Sequence, residues 1–125
     1  MNTKLTMVLR IVLGLVLVIF GANKFYPFMP QPEEMSIAAA SFMQALKATG
    51  YMFPLIGAVE VFSGLLLLFK KSVPLALLLL APVTVNILLF HIALEPATLV
   101  PGLVILIIQI ILFYAYWDKF KTLFN

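Results

Sequence analysis

Of 125 residues, 64% are hydrophobic and only 10% carry charge, whereas an ordinary soluble domain is about a quarter charged. That apolar content exceeds what a domain of this length can hide from water, so lipid has to cover the remainder. The net charge of +3 comes from scattered Lys and Arg with no basic stripe among aromatics, which argues against a nucleic-acid partner. The lack of cysteine excludes disulfides, thiolate metal sites and thiol redox motifs.

Four apolar segments follow one another, at residues 5–26, 51–69, 73–94 and 97–117. Each is close to the roughly 20 residues that carry a helix across a hydrocarbon core of about 30 Å. Runs such as the four leucines at 65–68 and at 77–80 lack the alternation of a barrel strand, so helices are expected. The first segment, although preceded by Lys4, is read as a retained span: its apolar run is long, no small-residue cleavage site is evident and three further spans follow.

Spans 2 and 3 are separated by residues 70–72 and spans 3 and 4 by residues 95–96, lengths that force antiparallel neighbours. The linker 27–50 is longer. It begins with Pro27, Pro30 and Pro32, then offers Glu33 and Glu34, an alanine-rich run, Lys47 and Gly50, the pattern of a short helix with dipole-matched charges and a glycine stop. Met35, Ile37, Phe42, Met43 and Leu46 fit one side of it loosely, so it is expected to lie over the bundle at the membrane interface. The expected fold is therefore all-α membrane: one four-helix up-down bundle spanning 1–125, with an extracytoplasmic helix between spans 1 and 2.

Orientation follows from the cations. With both termini in the cytoplasm, Lys4, Lys70, Lys71, Lys119 and Lys121 lie inside, and Lys24 and Lys47 lie outside with Glu33, Glu34 and Glu95. Aromatics fall at both boundaries: Phe25, Tyr26, Phe28, Tyr51 and Phe53 outside, Phe69, Tyr114, Tyr116 and Trp117 inside.

Polar residues within the spans are the candidate site, because a charge at mid-span costs at least about 2.5–3.5 kcal/mol. They are Arg10, Asn23, Lys24, Glu60, Asn86, His91 and Gln109. Counting along the helix axes from the cytoplasmic side puts Arg10 at roughly 9 Å, Gln109 at about 12 Å, Glu60 at about 14 Å, Asn86 near 20 Å and His91 near 27 Å. In span 1, Arg10, Gly14, Gly21 and Lys24 share a stripe; in span 2, Gly57, Glu60 and Gly64 do. Both stripes should face inward, with the glycines allowing close approach and Arg10 pairing with Glu60, helped by Gln109. Such a pair is either a structural clamp or a proton-carrying, ligand-binding carboxyl. Asn23, Lys24, His91 and Asn86 form an outer level, with Pro82 four residues before Asn86 as a kink. His91 reads first as a hydrogen-bonded interfacial residue and only second as a ligand or proton donor, and Lys24 reads as a snorkelling residue. One histidine and no cysteine build no usual zinc or bis-histidine haem site, and no phosphate loop or acyl-transfer trio is present.

Residues 10–25, 45–68 and 74–91 together resemble the DoxX family of membrane proteins, from ArgIleValLeuGly at 10–14 through the GlyAlaValGlu at 57–60 to the PheHis at 90–91. The resemblance implies a four-helix bundle, usually in a bacterial inner membrane. The family takes its name from small membrane subunits of thiosulfate:quinone oxidoreductase, and other members resemble partners in oxidative-stress complexes. Arg10, Lys24, Glu60 and His91 stand where the family pattern has intramembrane polar residues. The leading expectation is a redox-associated subunit that binds a quinone or similar lipophile, with Glu60, Arg10 and His91 as candidate catalytic groups and Lys24, Asn86 and Gln109 as further ligand contacts. The rival is a non-enzymatic assembly or anchoring protein for a soluble or membrane partner. A small transporter is the third reading, and self-association is open in all three.

Overall fold

The computed structural model describes residues 3–26, 28 and 35–124, and Pro27, Pro30, Pro32, Glu33 and Glu34 lie outside that set. The described residues are helical and contain no strand. Helix α1 is Thr3–Phe25, α2 Ile37–Ala48, α3 Met52–Leu67, α4 Val73–Ala93, α5 Leu99–Ala115 and α6 Trp117–Phe120, with 3-10 turns at Lys70–Ser72, Pro96–Thr98 and Lys121–Phe124.

Three segments are long and apolar enough to cross a membrane: Thr3–Phe25, Lys70–Ala93 and Pro96–Ala115. Helix α3 is the exception. Its 16 residues rise about 24 Å, and it counts as a fourth crossing only when taken with α2, from which it departs at 89°. Gly50, at φ +80°, makes the corner in a left-handed conformation that costs other residues about 1–2 kcal/mol. Thr49 Oγ1 then accepts from Met52 N at 3.1 Å and starts α3.

Helix α1 packs chiefly on α3, α3 on α4, α4 on α5, and α5 back on α1, which closes a ring of four helices. The core fills the end holding the N-terminus, where Leu13, Leu17, Leu67, Leu77, Leu80 and Leu112 are buried. Outward faces are apolar: Val8, Val12, Leu15 and Ile19 on α1, Leu75, Leu78, Val85 and Leu89 on α4, Val104, Ile107 and Ile110 on α5. A largely apolar exterior of this kind is what lipid, not water, solvates.

At the opposite end α2 is tied across the bundle. Ser36 caps it by accepting from Ala39 N at 3.1 Å, donates through Oγ to Leu94 O at 2.6 Å, and its backbone N donates to Glu95 Oε2 at 2.7 Å. The face turned inward is Ala39, Met43 and Leu46; Ile37 is 87% exposed, and Phe42 is exposed too, its ring tilted against that of Phe90 on α4 with 5.5 Å between centroids. The expected apolar side is thus rotated, because Ala39 is small enough to let the helix backbone rest on the bundle while larger residues are turned out.

Candidate functional site

The seam between α1 and α3 is built from glycine. Gly14 lies against Gly64 and Gly21 against Gly57, the two glycines of each antiparallel helix being seven residues apart. A β-carbon added at Gly14 would stand 2.7 Å from Gly64 O, and one at Gly64 2.7 Å from Gly14 O. The two backbones are therefore in direct contact, which only hydrogen at Cα permits.

Above this seam lies the ion pair. Lys24 Nζ is 2.6 Å from Glu60 Oε1, the lysine side chain 25% exposed and the glutamate 3%. At this distance charge attraction holds the two side chains together. Ser63, one turn from Glu60, is fully buried and its hydroxyl has no hydrogen-bond partner among the described residues.

Arg10 does not form the expected pair with Glu60. Its Nη1 donates to Leu67 O at 3.0 Å, the carbonyl of the last residue of α3. The direction of the Cα–Cβ bond accounts for the exchange of partners. In a helix that bond tilts toward the N-terminus. On α1, Lys24 and Arg10 both lean toward the N-terminal end of the bundle; on antiparallel α3, Glu60 leans the other way. Lys24 and Glu60 therefore lean together, while Arg10 and Glu60 lean apart. Arg10 instead meets the negative end of the α3 dipole, where a cation is favourable.

Gln109 also has a different partner: its Nε2 donates to Thr84 Oγ1 at 2.6 Å, linking α5 to α4 with both residues buried. Either single truncation, Thr84→Val or Gln109→Leu, leaves the other group orphaned and is expected to lower stability by about 1–3 kcal/mol. The pair Thr84→Val/Gln109→Leu should recover most of that loss in unfolding titrations in detergent. Thr84 and Ser63 were both legible as site residues: Thr84 continues the Leu77, Leu80 stripe, and Ser63 the Glu60, Leu67 stripe.

The other outer polar residues bond to groups close by in sequence. His91 Nδ1 is 2.8 Å from Ile87 O; because a carbonyl only accepts, Nδ1 is the donor in this contact. The His91 ring also meets the Phe90 ring edge-on at 5.1 Å and lies beside Gly102 of α5. Asn86 is on the exposed face of α4, donating through Nδ2 to Pro82 O at 2.9 Å. Asn23 Oδ1 accepts from Phe28 N at 2.8 Å and holds the chain leaving α1. Of the expected set, then, the fold joins Lys24 to Glu60 and leaves Arg10, Gln109, Asn86 and His91 with other partners. No group of His, Asp and Glu among the described residues could hold a metal ion.

These features define an all-helical, multi-pass membrane protein with a buried ion pair on a glycine seam. The DoxX family model matches residues 5–93, a stretch that contains nearly all of α1, the whole of α3 and α4, and the ion pair, and the chain belongs to that family. Neither the curated proteins nor the solved structures provide a match to it.

Proposed function

We propose that the chain is a four-span subunit of a bacterial-type inner membrane, with α1, α3, α4 and α5 as the spans, α2 on the extracytoplasmic surface and both termini in the cytoplasm. Extended by Tyr51, Leu68 and Phe69, α3 approaches the length of its neighbours. In this orientation Lys4, Lys70, Lys71, Lys119 and Lys121 are cytoplasmic, in keeping with the positive-inside bias.

Within that frame the ion pair is the recognition element for a lipophilic carbonyl compound of the quinone class, exchanged with a redox partner. The observation that carries this reading is the unequal exposure of the pair, 25% at Lys24 and 3% at Glu60. Glu60 fixes and neutralises the ammonium, while Lys24, with three donor directions, keeps part of its head open toward an acceptor arriving from the lipid. A carbonyl oxygen meets that requirement, and the apolar faces of α1 and α3 suit the rest of such a molecule.

A second reading has its own support: the seam beneath the pair is closed at backbone contact, as a clamp in an assembly or anchoring protein would be. The double variant Lys24→Met/Glu60→Gln separates the two. It removes the donor and also the unmatched charge, so the fold should persist while binding is lost. With ubiquinone or menaquinone supplied to purified protein in nanodiscs of defined lipid, the wild type should retain it and the folded double variant should not. Equal retention by both, or none by the wild type, would overturn the ligand reading in favour of the clamp.

A further inference from the structure

Beyond α5 the chain changes course. Tyr116, between α5 and α6, has φ −108° and ψ 20°, outside the helical range, and α6 passes into the 3-10 turn Lys121–Phe124. Two ring pairs measure the change. The Phe113 and Phe120 centroids are 4.8 Å apart and those of Trp117 and Phe124 5.9 Å apart. In each pair the residues are seven positions apart in sequence, which a straight helix would separate by a rise of about 10.5 Å. Residues 117–124 therefore do not run on along the α5 axis. Phe120 holds them to the end of the bundle: it is 3% exposed and belongs to the same apolar core as Leu13, Leu67 and Leu112. The other large apolar side chains of the segment, Trp117, Leu123 and Phe124, are uncovered, Phe124 to 76%.

We infer that residues 117–124 form a foot lying in the plane of the bilayer surface, with Trp117, Leu123 and Phe124 seated between lipid headgroups and the upper acyl chains. Continuity selects lipid as the occupant. Ile107, Ile110, Tyr114 and Trp117 are all exposed and recur at spacings of three and four, one face of a helix, so the uncovered patch is the end of a surface that already meets lipid. Indole and phenol rings suit that boundary, because each joins an apolar body to a polar tip. The rest of the segment is equally suited to an interfacial position: Asp118 and Lys121 pair at 3.1 Å, both exposed, and Lys119 is exposed beside them, which gives water a polar side to solvate. Anchored by Phe120, the foot sets the depth at which the end of α5 meets the membrane surface. The inference stands independently of whether the Lys24–Glu60 pair meets a quinone.

Trp117 is the only tryptophan in the chain, so its fluorescence tests the inference in the unaltered protein. In nanodiscs, phosphatidylcholine brominated near the headgroup end of its acyl chains should quench Trp117 about twofold more than phosphatidylcholine brominated near the methyl end, and aqueous acrylamide should quench it several-fold less than it quenches free tryptophan amide. The double variant Trp117→Phe/Phe124→Trp moves the probe to the far end of the segment. It should show the same preference between the two lipids, because a foot in the membrane plane holds both ends at one depth; Trp117→Phe/Leu123→Trp reports on the same point from a neighbouring position. Circular dichroism of each variant establishes that it is folded. Strong acrylamide quenching of the Phe124→Trp probe with no response to either brominated lipid would mean that the segment enters water, open to a soluble partner. Protection from acrylamide and from both lipids would mean that a second copy covers it. Either result would overturn the assignment to lipid.

Discussion

Gly14→Ala and Gly64→Ala are expected to destabilise the protein by about 1–3 kcal/mol each, the cost of forcing a methyl into a filled contact. Two effects oppose one another. Alanine is the better helix former by about 0.8–1.0 kcal/mol, so at an open position the substitution would stabilise. At these two glycines the new β-carbon would stand 2.7 Å from a backbone carbonyl oxygen of the facing helix, and a backbone atom has no rotamer by which to withdraw. The helices must therefore separate, and the strain exceeds the propensity gain. Gly57→Ala should be milder, since its closest neighbours, Gly21 O and the Phe25 ring, lie at 3.0 Å and the ring can turn aside. Gly102→Ala reverses the sign: its β-carbon would meet Ile87 and His91 at 3.6 and 3.7 Å, an ordinary contact, so the variant should match or exceed the wild type. Unfolding in mixed micelles gives all four values. A wild-type stability for Gly14→Ala would mean that α1 and α3 are further apart than described.

The ion pair has the second large expected effect, and an asymmetric one. Lys24→Met leaves a carboxylate that is 3% exposed without its counter-charge, and removal of one partner from a buried pair costs about 3–5 kcal/mol. Glu60→Gln is less damaging, about 1–2 kcal/mol, because a neutral amide still accepts from the ammonium. Lys24, one residue from the end of α1, can also redirect its head toward the membrane surface. Glu60, two turns from the end of α3, has no such escape. The order Lys24→Met worse than Glu60→Gln is thus a signature of which partner is trapped, and it is read from the same unfolding titrations. An equal cost for the two would mean that Lys24 is as enclosed as Glu60.

The inward stripes of α1 and α3 were legible in the sequence because glycine and charge recur at helical spacing: Gly14 and Gly21 on one, Gly57, Glu60 and Gly64 on the other. Burial of Glu60 follows from that pattern alone. Its partner does not, since counting height along the axis treats a side chain as lying level with its Cα. Over a lysine stem and a glutamate stem the tilt of Cα–Cβ shifts each head by several ångströms, in opposite senses on antiparallel helices, which is enough to exchange Arg10 for Lys24. The 89° corner at Gly50 was readable as a helix stop but not as an angle, because the angle depends on how Ser36 and Ala39 seat α2 on the bundle. Gln109 stands out as a lone amide in an apolar span, whereas its partner Thr84 is one small hydroxyl among the apolar residues of α4 and carries no comparable signal.

The central structural claim is that Glu60 belongs to Lys24 and not to Arg10. Two double-mutant cycles measure it most directly, Lys24→Met with Glu60→Gln and Arg10→Met with Glu60→Gln, each followed by equilibrium unfolding in the same micelles. The Lys24 cycle should show a coupling of about 1–3 kcal/mol, with the double variant more stable than the two single losses add up to, while the Arg10 cycle should be additive within about 0.5 kcal/mol. Additivity in the first cycle together with coupling in the second would contradict the account.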